Sequence, residues 1–198
     1  KRNFAFHSVI FGKNNKAYYL ELEDGSEYVA KQYFHHSLDK RDRLHAEFLS
    51  LEFLHDNGIK NVPKPIMADY ENNIGIYEYI HGEHIADVKE EDINEACNFL
   101  VKLYELREKK ESEKIQRASA SCFSIAEITG IIDNRLNKLL GTGEINENYR
   151  KLHDYLNLEF LSNYNEILSW GKSRINDYGL DFNSEIENKE RTLSPSDF

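Results

Sequence analysis

Apolar and polar positions follow two different periods along this chain, and the switch between them organises it. Up to residue 33 the period is two. Phe6–Phe11 is an apolar, β-rich run that stops at Gly12-Lys13-Asn14-Asn15-Lys16. Ala17–Glu23 alternates, with Leu20 and Leu22 on one face and Tyr19, Glu21 and Glu23 on the other. Asp24-Gly25 predicts a hairpin, because both residues tolerate positive φ. Glu27–Tyr33 follows as a third strand, with Val29, Lys31 and Tyr33 on one face. Between Leu38 and Asp56 the period becomes helical, and Leu44, Phe48, Leu51 and Leu54 form one stripe. Asn57-Gly58 stops this helix. Pro63 and Pro65 impose an extended entry to Ile66–Tyr70, and Glu71-Asn72-Asn73 turns the chain into Ile74–Ile80. The predicted order is β-β-β-α-β-β.

From residue 87 onward only helices are predicted. Asp87 with Glu90 fits a capping box, followed by Ile93, Ala96, Cys97, Leu100, Leu103 and Tyr104 at helical spacing. Lys109–Lys114 reads as a charged loop. Ser124 and Glu127 make a second box, opening a helix through Ile125, Ile128, Ile132, Leu136 and Leu139 that Gly141-Thr142-Gly143 ends. Asn146–Tyr178 supplies one long or two shorter helices through Leu152, Leu156, Phe160, Tyr164, Ile167 and Trp170, with Gly179 as the stop.

Composition narrows the class. The 198 residues carry 25 Lys+Arg against 35 Asp+Glu, a net charge of −10. Hydrophobic residues at 40% with only 3 Pro and 10 Gly exclude disordered and collagen-like chains. The acidic balance argues against nucleic acid, which needs clustered Lys and Arg to displace counterions. Cys97 and Cys122 lack a CxxC pair or a His at ligand spacing, so they read as buried thiols in a reducing, cytoplasmic setting. No apolar run approaches the ~20 residues of a membrane span, and Lys1-Arg2-Asn3-Phe4 leads into no signal core. The chain begins without Met and stops at Phe198, directly after a polar cluster, so a partial chain is expected. The composition shift near residue 82 marks the expected boundary between two domains, residues 1–80 and 81–198.

Chemistry concentrates at a few positions. Lys31 lies in a strand, sixteen residues before Glu47 on the next helix. A strand lysine reaching a helix carboxylate is how a nucleotide kinase supplies positive charge to the α and β phosphates, with the carboxylate fixing its rotamer. A surface lysine and a solvated glutamate would fit the same spacing. The Gly12–Lys16 turn has backbone N–H groups and two lysines that could cover phosphates. It is neither a P-loop nor a GxGxxG loop. Ile76-Tyr77-Glu78-Tyr79-Ile80-His81-Gly82-Glu83 joins the strands to the helices, and the Glu78 carbonyl and Ile80 amide are spaced to mimic a base-pair edge towards a purine. His81 and His84 flank Glu83, but with no third ligand at suitable spacing a metal site is not expected. In Leu193-Ser194-Pro195-Ser196-Asp197-Phe198, a carboxylate after a proline-containing loop could accept a proton from a substrate hydroxyl.

Taken together, a five-stranded part with Lys31, Glu47 on its only helix, a linker at Glu78–Gly82 and then helices alone resembles the aminoglycoside phosphotransferase and choline kinase-like family, small-molecule relatives of protein kinases. The resemblance implies an α+β, protein kinase-like fold of two lobes: a five-stranded antiparallel N-lobe with one main helix, and an all-helical C-lobe truncated at its catalytic loop. The final Ser-Pro-Ser-Asp-Phe segment looks like a variant form of that loop.

The resemblance also implies roles. Lys31 would bind the α/β phosphates of ATP, paired with Glu47. Glu78 and Ile80 would bond adenine through their backbones, and Tyr77 would wall the pocket. Asp197 would orient and deprotonate the acceptor hydroxyl. The family usually has His and Gly where Pro195 and Ser196 stand here. Its metal-binding Asn and Asp, the Mg2+ ligands, are expected beyond Phe198, so the polypeptide as written is expected to be inactive alone. The implied activity is transfer of the γ-phosphate of ATP to a hydroxyl of a small acceptor. The net charge and the acidic run Asp87–Asp92 suit a cationic amine, and a saccharide fits equally. A non-catalytic kinase-like nucleotide-binding or interaction module is the alternative, motivated by Pro195 and the absent metal ligands. A helical interaction domain unrelated to nucleotides would explain the amphipathic stripes alone.

Overall fold

A computed structural model describes the backbone of residues 4–9 and, in full, residues 15–34, 41–83, 85–118, 121–142 and 146–194. Five strands, β1 (Phe4–Val9), β2 (Lys16–Leu22), β3 (Glu27–Gln32), β4 (Pro65–Asp69) and β5 (Ile74–Glu78), form one antiparallel sheet in the order β1-β2-β3-β5-β4. The helix α1 (Arg43–Asp56) lies between β3 and β4 in sequence, as the change of period predicts.

Local chemistry explains the turns. Leu22 and Ser26 close the β2–β3 hairpin, with the Ser26 N–H donating to the Asp24 carboxylate at 2.9 Å. Only Gly25 takes positive φ, at 80°, so Asp24 does not use the freedom the sequence reading allowed it. Between β4 and β5, Asp69 accepts from the backbone and side-chain nitrogens of Asn72, and Asn73 adopts φ 55°. Pro65 opens β4 at the sheet edge, where its missing N–H leaves no ladder bond unmade.

Register decides which side chains share a face. Ala17 pairs with Lys31, Tyr19 with Val29, and Val29 with Tyr77, while Lys31 stands opposite Gly75. Ala17, Tyr19, Val29, Lys31, Gly75 and Tyr77 therefore line one face, and α1 packs on that face through a core of Tyr33, Leu44, Phe48 and Tyr77. Asp42 caps α1 by accepting from the His45 N–H at 2.9 Å. The earlier start expected at Leu38 falls on residues outside those described.

At its far end α1 turns Phe53 and Leu54 into a second core, with Ile59, Phe99, Leu103 and Leu106. Three of these come from α2 (Glu90–Leu106), so α2 packs with the sheet-bearing part of the chain. Packing accordingly divides the molecule into one compact unit of residues 1–119 with 192–198 and another of residues 120–191, whereas composition shifts near residue 82.

Two helix expectations need correction. The capping interaction of α2 is not at Asp87: the Lys89 N–H donates to Asp92 at 2.8 Å, two residues later, because a carboxylate three positions ahead of the first free N–H meets it there. The buried side of α2 is Leu103 and Leu106, while Ile93, Leu100 and Tyr104 are 55%, 43% and 49% exposed. Of the expected stripe only Leu103 is buried, in the cluster with Phe53 of α1; Cys97, expected as a buried thiol, is exposed, and Cys122 is only half-buried. The charged loop expected at Lys109–Lys114 instead holds a short 3-10 turn over Lys110–Lys114.

The second unit holds α3 (Ile125–Leu140), α4 (Glu147–Tyr155) and α5 (Leu161–Asp177). The Ser124 hydroxyl accepts from the Glu127 N–H, and the Glu127 carboxylate reaches back to the Phe123 N–H at 2.6 Å. Asn146 caps α4. Between α4 and α5, residues Leu156–Phe160 wind as a π-turn, so this stretch is one helical run with a widened turn inside it. Gly179, at φ 66°, ends α5.

Candidate functional site

Lys31 and Glu47 meet. The β3 strand points Lys31 at the face covered by α1, and one helical turn brings Glu47 over it. The Lys31 Nζ lies 2.7 Å from Glu47 Oε2 and 2.9 Å from Oε1, so the ammonium is gripped by both carboxylate oxygens. The two side chains keep 27% and 37% of their surface exposed. A half-open ion pair of this kind adds at most about 1 kcal/mol to stability. The arrangement suits an ammonium held in place for something that arrives from solvent.

Beneath the pair lie two phenols. Tyr33 and Tyr77 are 5% and 3% exposed, their hydroxyls 2.7 Å apart. Lys31 Nζ sits 5.0 Å from the centre of the Tyr33 ring. Burial, reinforced by the negative charge of Glu47, pushes the Tyr33 phenol far above its ordinary range. Burial also raises Tyr77.

Along the same face, towards the end of β5, a second polar group gathers. Glu27 accepts from the Tyr19 hydroxyl with one carboxylate oxygen and pairs with His81 through the other. The Tyr79 ring stands edge-on to both Tyr19, at 5.0 Å, and His81, at 4.9 Å. The hydrogen bonds from Tyr19 and His81 hold the Glu27 carboxyl below the usual range. The bond to Glu27 pushes the Tyr19 phenol up to about 12. This cluster ties the segment after β5 to the sheet.

Of the residues singled out from sequence, Lys31, Glu47 and Tyr77 stand on one face. Tyr77 is inside the core under α1, packed on Phe48 with ring centres 6.1 Å apart. Glu78 ends β5, exposed, and its N–H donates to the Lys64 carbonyl at 2.9 Å. Ile80 is 49% exposed just beyond the strand. Asp197, Pro195, Ser196, His84 and most of the Gly12–Lys16 turn lie outside the described residues. Among the described residues no group of three His, Cys, Asp or Glu side chains is placed to hold a metal ion, and no helix is long and apolar enough to cross a membrane.

Sequence reasoning missed Tyr33, Tyr19, Glu27 and the tether on His81. The signal for Tyr33 was present, since it shares the strand face of Lys31. For Tyr19 and Glu27 the missing piece was register: the β2 and β3 faces each could be read, but not which face of one met which face of the other.

Comparison with known proteins gives the family. A family profile described as the phosphotransferase enzyme family (APH) matches residues 10–127, well over half of the chain. The chain belongs to that family. The family resemblance read from Lys31, Glu47 and the linker agrees with this membership. The matched stretch includes Lys31, Glu47, Tyr77, Glu78 and Ile80. No curated protein sequence gives a significant match. Among solved structures the chain is similar to an ethanolamine kinase from Plasmodium vivax, at 14% identity and a TM-score of 0.49, over 88% of this chain and 47% of that one. This phosphotransferase-family chain thus spans about half the length of the solved relative it matches.

Proposed function

We propose that this chain carries the nucleotide-binding part of an ATP-dependent phosphotransferase acting on a hydroxyl of a small molecule. The observation that carries the reading is the two-oxygen grip of Glu47 on Lys31, at 2.7 and 2.9 Å, between the sheet and α1, where the two side chains keep 27% and 37% of their surface exposed. In phosphoryl transfer the protein contributes mainly position and charge stabilisation, and an ammonium with a fixed rotamer provides both for the α and β phosphates. The adenine edge would meet the Glu78 carbonyl and the Ile80 N–H, with Tyr77, 3% exposed under α1, backing the site from the core. The Glu78 N–H already serves Lys64, which leaves the carbonyl as the acceptor in this scheme.

In the reaction the acceptor oxygen attacks the γ-phosphorus, the bond to the β–γ bridging oxygen breaks, and ADP leaves. Asp197 would take the hydroxyl proton. Residues 1–80 would serve as the nucleotide lobe and residues 81–198 as the start of the acceptor-side lobe of a kinase-like fold. That is a division of labour, distinct from the division of packing at residue 119. Mg2+ would accompany ATP and neutralise phosphate charge, but the described residues offer it no cluster of ligands. The net charge of −10 favours a cationic acceptor over an anionic one, with a neutral saccharide also compatible.

Thermal unfolding with and without Mg-ATP tests the proposal. A ligand at roughly 100 times its Kd adds about 2.7 kcal/mol of stability, visible as a rise in Tm that Lys31→Ala removes. Equal shifts in parent and variant, or none in either, would end the nucleotide reading.

A further inference from the structure

The hydroxyls of Tyr33 and Tyr77 are out of place in the core they occupy. Both rings pack with Leu44 and Phe48, where phenylalanine would fill the same space without a polar group to satisfy. A buried hydroxyl costs stability unless it is paired, and here each pairs with the other at 2.7 Å. The pair also needs special room. Tyr77 leans along β5 over Gly75, so closely that a Cβ at Gly75 would fall 2.5 to 2.7 Å from the Tyr77 ring and hydroxyl. Gly75 is the residue opposite Lys31 in the sheet register.

Tyr33 is anchored at both ends. Its N–H donates to the Asn73 carbonyl at 2.8 Å, fixing its backbone to the β4–β5 turn, and its hydroxyl meets Tyr77. Between these anchors the ring lies 5.0 Å from Lys31 Nζ. A cation so placed is attracted by the ring's negative face. Glu47 thus holds the ammonium by charge while Tyr33 stands beside it as a rigid apolar wall with a favourable face.

We propose that Tyr33 is a positioning residue for Lys31: its ring confines the ammonium next to Glu47, and its hydroxyl bond to Tyr77 keeps that ring in place. Its consequence for ligand affinity rests on the nucleotide reading above. The confinement of Lys31 does not.

The test uses the full chain and two readouts. The first is the rate at which a water-soluble N-hydroxysuccinimide ester acylates Lys31, measured by peptide mass spectrometry relative to exposed Lys138 on α3. Tyr33→Phe raises the Lys31/Lys138 ratio about twofold, and Tyr33→Leu, which removes the ring as well, raises it up to about fivefold. A residue that merely fills the core would lower Tm and leave the ratio unchanged below the transition. Ratios equal to the parent in both variants overturn the proposal. Should Tyr33→Leu fail to fold, Tyr33→Phe, which keeps the ring's volume, decides it on the same criterion.

The second readout is protection of Lys31 from acylation by Mg-ATP. Protection in the parent that weakens in Tyr33→Phe supports positioning of the nucleotide-binding lysine. Protection left intact in Tyr33→Phe overturns that link. An absence of protection in the parent overturns the nucleotide reading while the first readout still judges the confinement.

Discussion

Lys31, Glu47, Tyr33 and Tyr77 form a stack in which charge lies above and hydroxyls lie below. The charged layer is half open and adds little to the fold, whereas the phenols are buried and resist ionisation. That difference has a consequence at high pH. The folded-state phenols of Tyr33 and Tyr77 lie well above the ~10 of a free tyrosine. Below pH ~10 both states hold these protons, and stability is fully present. Above it the unfolded chain releases protons that the folded chain keeps, so stability falls as pH rises. We expect the phenolate absorbance of a pH titration to show a group of tyrosines that ionise only when the chain unfolds. The Tyr33→Phe, Tyr77→Phe double variant should lose stability less steeply above pH ~10 than the parent. Equal slopes for parent and variant would show that the two phenols ionise in the folded state.

At the scale of elements, capping and register set what the side chains can do. Ser124 is 8% exposed and accepts from the Glu127 N–H at the start of α3. Ser124→Ala should cost about 1 kcal/mol, read as a lower midpoint in urea with an unchanged slope. A midpoint equal to the parent would mean that the cap contributes nothing. This box was legible because Ser and Glu three apart ahead of an apolar run is a local signal. The cap of α2 was not, since Asp87, Glu90, Glu91 and Asp92 are all suitable carboxylates and sequence cannot choose among them. The strand and helix order up to Glu78 followed from the two periods, whereas the sixteen-residue spacing of Lys31 and Glu47 fitted a surface lysine and a solvated glutamate as well, and only the kinase-like pattern chose the pair. The Tyr19–Glu27–His81 cluster did not follow. It depends on the pairing of Tyr19 with Val29 and on the path of the chain after β5, neither of which a local pattern encodes. The π-turn at Leu156–Phe160 likewise leaves no mark in the spacing of Leu152, Leu156 and Phe160.

At the scale of the molecule, packing and chemistry draw different boundaries. The second core, shared by α1 and α2, attaches the first long helix after the linker to the sheet-bearing unit. The segment between, from Glu78 to Gly82, is held to the sheet by Glu27 through His81 and by the Tyr79 N–H, which donates to the Glu27 carbonyl at 3.4 Å. A linker tied down in this way holds the Ile80 backbone on a fixed base, which the proposed adenine contact would need. The most direct test is a two-dimensional amide NMR titration of the full chain with Mg-ATP. The account expects shift changes concentrated at Ala17–Tyr19, Val29–Lys31 and Glu78–Ile80, abolished by Lys31→Ala, with residues 120–191 little affected. Changes confined to residues 120–191, or none anywhere at saturating nucleotide, would contradict it.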